Sequence, residues 1–137
     1  MDTKDLGNLG EKLACEYLVK NGFNILGKNY TVPTSRQGIS FGEIDIIAKK
    51  RWKLFSKKNK DIHFVEVKTT ATNSDSFHPE DRVDHKKQRK LRQLCEIWLN
   101  KNKFKQNQPY QIDVIGILID ENSKSAKISY FENVVSG

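Results

Sequence analysis

The sequence predicts an α/β protein whose helices cover a mixed β-sheet, in the element order α-β-β-β-α-β-β. Two segments carry apolar residues at helical spacing, and five shorter segments are rich in apolar and β-branched residues. The chain of 137 residues is long enough to bury a core without disulfides or a structural metal. We therefore expect one domain over residues 1–137.

The first helix is predicted near the N-terminus, where residues 7–21 carry apolar side chains at helical spacing. Gly22 follows at the position where helices commonly end. The next apolar run predicts a strand over residues 23–30, and Pro33 then indicates a loop over residues 31–41.

The second and third strands are predicted around Asp45 and Glu66, in two short runs that are rich in Ile and Val. Residues 51–60 form a basic connection between these strands, and residues 71–79 are polar enough for a loop. Strands that follow one another in sequence are usually neighbours in the sheet, so we expect these two to pair.

The second helix is predicted to begin near Pro79, which suits a first helical turn, as do the two acidic residues after it. Its apolar stripe has the i, i+3, i+4, i+7, i+8 spacing and consists of Leu91, Leu94, Cys95, Trp98 and Leu99. Two final strands are expected over residues 111–119 and 126–134.

Charged residues interrupt the second and third strands. Side chains alternate across a strand, so Glu66 and Lys68 share one face, and Glu43 and Asp45 also share a face. Two carboxylates about 4 Å apart repel by roughly 4 kcal/mol at an effective dielectric near 20. Either one carboxyl takes up a proton or a cation lies between the two carboxylates. A hard divalent cation such as Mg²⁺ is the natural occupant, so the pattern favours a metal-dependent hydrolytic site. The alternative is a solvated sheet face with a weak cross-strand ion pair.

The chain is basic, with 24 Lys and Arg against 17 Asp and Glu and a net charge of +7. Residues 49–60 hold seven basic residues and no acid, and residues 85–92 form a second basic cluster. Clustered positive charge indicates a polyanionic partner, most simply nucleic acid. A membrane is not expected as a partner, because the basic stretches lack an apolar face for insertion. The alternative for the second cluster is a solvated helix face.

Cysteine and histidine give no sign of a zinc site, because Cys15 and Cys95 are distant and the three histidines (His63, His78 and His85) are isolated. Both cysteines are expected to be small, buried or partly buried residues in a reducing compartment. The N-terminus has no apolar run of a signal peptide, and no segment approaches the roughly 20 apolar residues of a membrane span. We therefore expect a cytoplasmic protein.

Two motifs carry a family resemblance: residues 42–48 read GEIDIIA, and residues 64–69 read FVEVKT. Further matches extend from Gly10-Glu11 to Ile112-Asp113-Val114. Together they resemble the YraN family, also called UPF0102, over most of the chain. That resemblance implies a restriction-endonuclease-like fold, as in the PD-(D/E)xK nucleases, which include archaeal Holliday-junction resolvases.

The resemblance also implies a metal centre. Asp45 and Glu66 would bind Mg²⁺ or Mn²⁺, and the backbone carbonyl of Val67 would complete the ligand set. Lys68 would position or activate the attacking water and offset charge on the phosphoryl oxygens. Glu11 matches a helix glutamate that several of these nucleases add to the metal site, although a glutamate there also suits a first helical turn.

Glu43 is a weaker candidate, because its place at the start of the strand also fits a capping role. A departure from the family is the basic insertion at residues 49–61, which replaces what is typically a tight turn. Phosphate contacts are expected from seven basic residues: Lys49, Lys50, Arg51, Lys86, Lys87, Arg89 and Lys90.

The function implied is a Mg²⁺-dependent nuclease that hydrolyses phosphodiester bonds of DNA, with branched and single-stranded DNA among the candidate substrates. The first alternative is a non-catalytic nucleic-acid-binding accessory protein in recombination or DNA uptake. The second is a basic protein that dimerises through its sheet edge. A homodimer is a further expectation, which rests only on analogy with the fold of the dimeric resolvases.

Overall fold

A computed structural model of the chain describes residues 1–32, 42–51, 60–71 and 85–134. Its two helices are α1 (Thr3–Lys20) and α2 (His85–Lys101). Its strands are β1 (Phe23–Tyr30), β2 (Ile44–Lys50), β3 (Ile62–Ala71), β4 (Tyr110–Asp120) and β5 (Ser125–Phe131). The element order is α-β-β-β-α-β-β, as predicted.

The five strands form one mixed sheet in the order β1-β2-β3-β4-β5. Strands β3 and β4 are parallel, and the other neighbouring pairs are antiparallel. Parallel neighbours need a crossover connection, and α2 lies between β3 and β4 in the chain. This mixed sheet with its two helices confirms the predicted fold class, and it is the layout that the restriction-endonuclease-like resemblance implied.

The helices cover opposite faces of the sheet. Residues of α1 such as Leu18 pack in one apolar cluster with Val65, while residues of α2 such as Trp98 pack in another with Phe64. Val65 and Phe64 are adjacent on β3 and point to opposite faces. Because both faces are covered, β2 is apolar along most of its length, and a charged side chain within it stands out.

Two boundaries differ from the prediction at the chain ends. Helix α1 begins at Thr3 rather than at residue 7, because the Asp2 side chain accepts a hydrogen bond of 2.8 Å from the Asp5 N–H and caps the helix. Strand β5 ends at Phe131 rather than at residue 134. Asn133 has a left-handed φ of 52°, and its N–H donates to the side chain of Asp113 rather than to the backbone of β4. The regular ladder is therefore interrupted, although the Val134 N–H again donates to the Ile112 carbonyl at 2.9 Å.

Other predictions are met more closely. The apolar stripe of α2 is buried at Leu94, Cys95, Trp98 and Leu99, and Cys15 is partly buried, with both cysteines free. Ala71 was expected in a loop and instead ends β3. Several predictions concern residues that the structure does not describe. They are most of the two predicted loops (residues 33–41 and 72–79), the helix start near Pro79 and most of the basic insertion. Neither helix of the described chain is long and apolar enough to cross a membrane.

Candidate metal centre

Three carboxylates from separate parts of the chain converge at one end of the sheet. Glu11 lies on α1, Glu43 lies immediately before β2, and Asp45 lies in β2. Each offers a carboxylate oxygen, and these oxygens all lie within 4.8 Å of one another. Glu43, the weaker candidate from the sequence, therefore belongs to the cluster together with the predicted ligands Glu11 and Asp45.

A close approach between α1 and β3 brings Glu11 to this place. A Cβ atom added at Gly10 would lie 1.8 Å from Oγ1 of Thr69, well inside van der Waals contact. Only glycine fits such an approach without moving the helix. The contact therefore fixes the height of α1 above the sheet at the residue that precedes Glu11.

Asp45 lies where the β2–β3 ladder ends. The last pair in register is Ile46 with Val65, so Asp45 and Glu66 would be the next pair. Instead, Oδ2 of Asp45 accepts a hydrogen bond of 2.8 Å from the backbone N–H of Val67. The carboxylate thus spans the gap between the strands and is held by main chain rather than by a mobile side chain.

The electrostatics of the cluster are unfavourable without a cation. Burial raises the pKa of Asp45 to about 6, and the charges of Glu11, Glu66 and Glu43 act in the same direction, against the bond from Val67. Burial also raises the pKa of Glu11, and Glu43 adds to the effect while Lys28 opposes it. Positive charge at this point would therefore stabilise the ionised cluster.

Glu66 and Lys68 form an ion pair beside the cluster, with Nζ of Lys68 at 3.0 Å from Oε1 of Glu66. Both side chains lie on the same face of β3, as the alternation predicted, and both are partly buried. Glu66 does not belong to the group of three carboxylates, but its charge raises the pKa of Asp45. The structure therefore brings three acids together, and the charge of a fourth acid, Glu66, acts on one of them while Lys68 is bound to Glu66.

The basic residues at the other end of β2 are remote from these carboxylates. Asp45 and Lys50 are five positions apart, which is about 17 Å along a strand. Nζ of Lys50 lies 3.9 Å from Oε1 of Glu132, and the Arg51 guanidinium donates to the carbonyl of Val19 at 2.7 Å. The phosphate contacts predicted for residues 49–51 would thus be made at the opposite end of the sheet from the metal centre.

The basic residues of α2 lie on the helix that covers the face of the sheet opposite α1, the helix that carries Glu11. Helix α2 returns from the end of β3 to the start of β4, so its first turns lie toward the end of the sheet that carries Lys68. Arg89 is exposed and Lys90 is half-buried in this part of α2. The side chains of Lys86 and Lys87 lie outside the described part of the chain, so their phosphate contacts stay predictions.

A second polar group, which the sequence did not indicate, is buried beneath α1. Nδ1 of His63 lies 2.6 Å from Oδ2 of Asp113, and the Tyr130 hydroxyl donates to the same oxygen at 2.5 Å. The other carboxylate oxygen accepts from the Gln111 side chain and the Asn133 N–H, each at 2.8 Å. The one signal for this network is an acid, Asp113, inside an apolar run.

Comparison with known proteins supports the resemblance drawn from the motifs. A family model described as "Uncharacterised protein family UPF0102" matches residues 10–117, a range that includes the whole candidate metal centre. A UPF0102 protein of Dictyoglomus thermophilum is 36% identical over 138 residues, which cover 99% of this chain and 98% of that protein. UPF0102 proteins of Campylobacter lari (36% identical, 90% of this chain, 93% of that protein) and Caldicellulosiruptor bescii (32%, 97% and 98%) are also similar. From its motifs, its fold and these similarities, the chain belongs to the UPF0102 family.

Proposed function

We propose that the protein is a metal-dependent nuclease that hydrolyses phosphodiester bonds of DNA. The observation that carries this proposal is the convergence of carboxylate oxygens of Glu11, Glu43 and Asp45 within 4.8 Å of one another. The charge of Glu66, the ion-pair partner of Lys68, also acts on Asp45. Carboxylates can hold a divalent metal ion, and such an ion activates water and offsets charge on the phosphoryl oxygens during hydrolysis.

The donor set fits Mg²⁺ or Mn²⁺. All candidate side-chain ligands are carboxylate oxygens, which hard divalent cations prefer, and thiolate or imidazole ligands are absent from the described cluster. The charges that act on Asp45 come from Glu11, Glu66 and Glu43, and all three raise its pKa, so a bound cation would offset them. When bound, a divalent cation supplies positive charge that stabilises the phosphoryl oxygens and lowers the pKa of water.

The protein's own residues hold the candidate metal ligands in place and orient the attacking water. The Val67 N–H holds Asp45 in one orientation, and the close contact of Gly10 with Thr69 holds the helix that carries Glu11. Lys68 keeps its ammonium 3.0 Å from Glu66, where it can orient the attacking water and interact with a phosphoryl oxygen. Glu66 then serves both to hold Lys68 and to add negative charge around the cation.

DNA is the substrate that the charge distribution favours. Net charge is +7, and the first turns of α2 carry the exposed Arg89 and the half-buried Lys90. Phosphate contacts by such residues are independent of sequence and weaken steeply with salt. We therefore expect non-specific or structure-selective binding, with branched and single-stranded DNA as the first substrates to test.

The test is cleavage of duplex, branched and single-stranded DNA with Mg²⁺ or Mn²⁺, followed by addition of EDTA. Wild type is compared with Asp45→Asn and Lys68→Ala, and the matched control is Asp120→Asn. Asp120 also accepts a backbone N–H bond, of 3.0 Å from Asn122, but lies outside the cluster. The proposal expects cleavage that EDTA abolishes, that both site variants lose and that the control retains.

Two other outcomes would replace this proposal. Salt-sensitive DNA binding by all four proteins, without cleavage by any, would support the accessory nucleic-acid-binding protein. No binding to DNA at low salt would support a protein that dimerises through its sheet edge.

A further inference from the structure

Asn29 contacts two of the three clustered carboxylates. It lies in β1 between Lys28, which pairs with Ile46, and Tyr30, which pairs with Ile44, so it stands opposite the position of Asp45. Carboxylates only accept hydrogen bonds, so the amide nitrogen of Asn29 is the atom that faces them. In that orientation it donates to Oε1 of Glu43 at 2.7 Å and to Oε2 of Glu11 at 3.1 Å.

We propose that Asn29 is a positioning residue that holds Glu11 and Glu43 side by side for a divalent cation. This inference rests on the proposed function, because it concerns the same metal centre. It adds a residue on a third element, β1, that would orient two ligands without binding the metal itself.

The chemistry of an amide suits this task. Its two N–H groups satisfy one lone pair on each carboxylate and leave the remaining lone pairs free for a cation. Because the amide is neutral, the cluster keeps its full negative charge. A lysine or arginine at the same place would instead neutralise one carboxylate and compete with the cation.

The amide of Asn29 orders the side chains of Glu11 and Glu43 before the metal binds. A glutamate side chain has several rotatable bonds, and fixing them lowers its conformational entropy. With Asn29 in place, Glu11 and Glu43 are already fixed next to each other, so less entropy is lost when the cation binds. Residues that hydrogen-bond to metal ligands typically change metal affinity by about 10- to 100-fold when they are removed.

The backbone at this residue offers a clean test. Asn29 has a φ of 51°, in the left-handed region where glycine is at least as comfortable as asparagine. Asn29→Gly therefore removes the amide without straining the chain. Asn133 has a φ of 52° and lies two residues after β5, outside the acidic cluster, so Asn133→Gly is the same change at the same backbone conformation.

The experiment measures Mn²⁺ affinity by calorimetry and DNA cleavage across a range of Mn²⁺ concentrations. For Asn29→Gly we expect Mn²⁺ to bind about 10- to 100-fold more weakly, and the half-saturating Mn²⁺ concentration for cleavage to rise by the same factor. The cleavage rate at saturating Mn²⁺ should stay within about threefold of wild type, since Asp45, Glu66 and Lys68 are unchanged. Asn133→Gly should match wild type in both measurements.

A further variant separates the hydrogen bonds from the backbone conformation. Asn29→Ala removes the amide but keeps a Cβ in the left-handed region, where alanine is less favourable than asparagine or glycine. It should therefore lose as much Mn²⁺ affinity as Asn29→Gly and melt at a lower temperature. Equal Mn²⁺ affinity in Asn29→Gly and wild type would overturn the inference, as would an Asn29→Gly chain that fails to fold. Wild type that binds Mn²⁺ but cleaves no DNA would overturn the proposed function, while the affinity comparison would still decide the role of Asn29. Wild type that binds no Mn²⁺ would overturn both.

Discussion

Asp45 and Asp113 are aspartates on strands β2 and β4, and their surroundings move their pKa values in opposite directions. Burial raises the pKa of Asp45 to about 6, with one backbone N–H as its hydrogen-bond donor and other carboxylates nearby. Asp113 is fully buried, which alone would raise its pKa, yet donors from His63, Asn133, Tyr130 and Gln111 lower it. Buried aspartates can therefore differ completely in what they contribute.

The difference separates a carboxylate that stabilises the fold from one that is available for chemistry. Asp113 has both oxygens occupied by protein donors, so it has little left to offer a ligand. Asp45 lies within 4.8 Å of Glu11 and Glu43, and the fold tolerates the repulsion. Groups whose pKa is strongly perturbed by burial and like charges are typical of functional sites.

The largest effect on stability is expected at Asp113. Asp113→Asn removes an ionised acceptor and disturbs several buried hydrogen bonds, among them those of His63 and Tyr130. Each buried polar group left unpaired costs about 1–3 kcal/mol, so we expect a total loss of about 3–5 kcal/mol. We expect urea unfolding to show that loss at pH 7, while the folded fraction still cleaves DNA at close to the wild-type rate. Asp120→Asn, which changes an exposed carboxylate, should leave the unfolding midpoint almost unchanged. A selective loss of cleavage in Asp113→Asn would mean that the buried network belongs to the active centre.

Asp45→Asn should gain stability and lose cleavage, the opposite of what we expect for Asp113→Asn. Removing one carboxylate from the cluster relieves repulsion with Glu11 and Glu43, so stability in EDTA should rise by about 1–2 kcal/mol at pH 8. Cleavage should fall at least about 100-fold, which corresponds to about 2.7 kcal/mol of transition-state stabilisation. Urea unfolding measures the expected gain in stability, and a cleavage assay on the same samples measures the expected loss of activity. Loss of stability in Asp45→Asn would show that the carboxylate is satisfied in the metal-free protein.

The sequence allowed Asp45, Glu66 and Lys68 to be proposed because charged residues are conspicuous in apolar strands. The same local signal was present at Asp113, but its partners His63 and Tyr130 lie on two other strands, 50 and 17 residues away. No period of two or 3.6 residues relates such positions. Strand register decides which of them meet, and that register comes from tertiary packing.

Helical periodicity explains what was predicted well and what was not. The stripe of α2 spans enough turns that Leu94 and Trp98 could be placed in the core from spacing alone. The first turn of α1 is polar, so its start at Thr3 depended on the cap from Asp2 rather than on any apolar period. Asn29 gave no local signal, because its partners Glu11 and Glu43 come from other elements.

The pH dependence of stability should show the two aspartates separately. The pKa of Asp45 is about 6 in the folded chain against 3.8 ordinarily, so the stability gained from its protonation is fully present below about pH 4 and is lost as the pH rises through 6. The pKa of Asp113 is lowered, so the stability from its ionised form is present above 3.8 and is lost as the pH falls further. In EDTA, wild type should therefore lose about 2 kcal/mol relative to Asp45→Asn between pH 4 and 6.5. Parallel stability curves for wild type and Asp45→Asn across that interval would contradict the raised pKa.

The smallest effect is expected from one donor of the buried network. Tyr130→Phe removes the hydroxyl that donates to Asp113 at 2.5 Å, but His63, Gln111 and the Asn133 N–H remain bonded to the carboxylate. A hydrogen bond to a charged group contributes about 1.5–3 kcal/mol, and with three donors left we expect a loss near the lower limit. Tyr17→Phe is the control, because its ring contacts Tyr130 edge to face while its hydroxyl lies outside the Asp113 network. If Tyr130→Phe costs as much as Asp113→Asn, the four donors act as one cooperative unit, and the ionised state of Asp113 depends on every one of them.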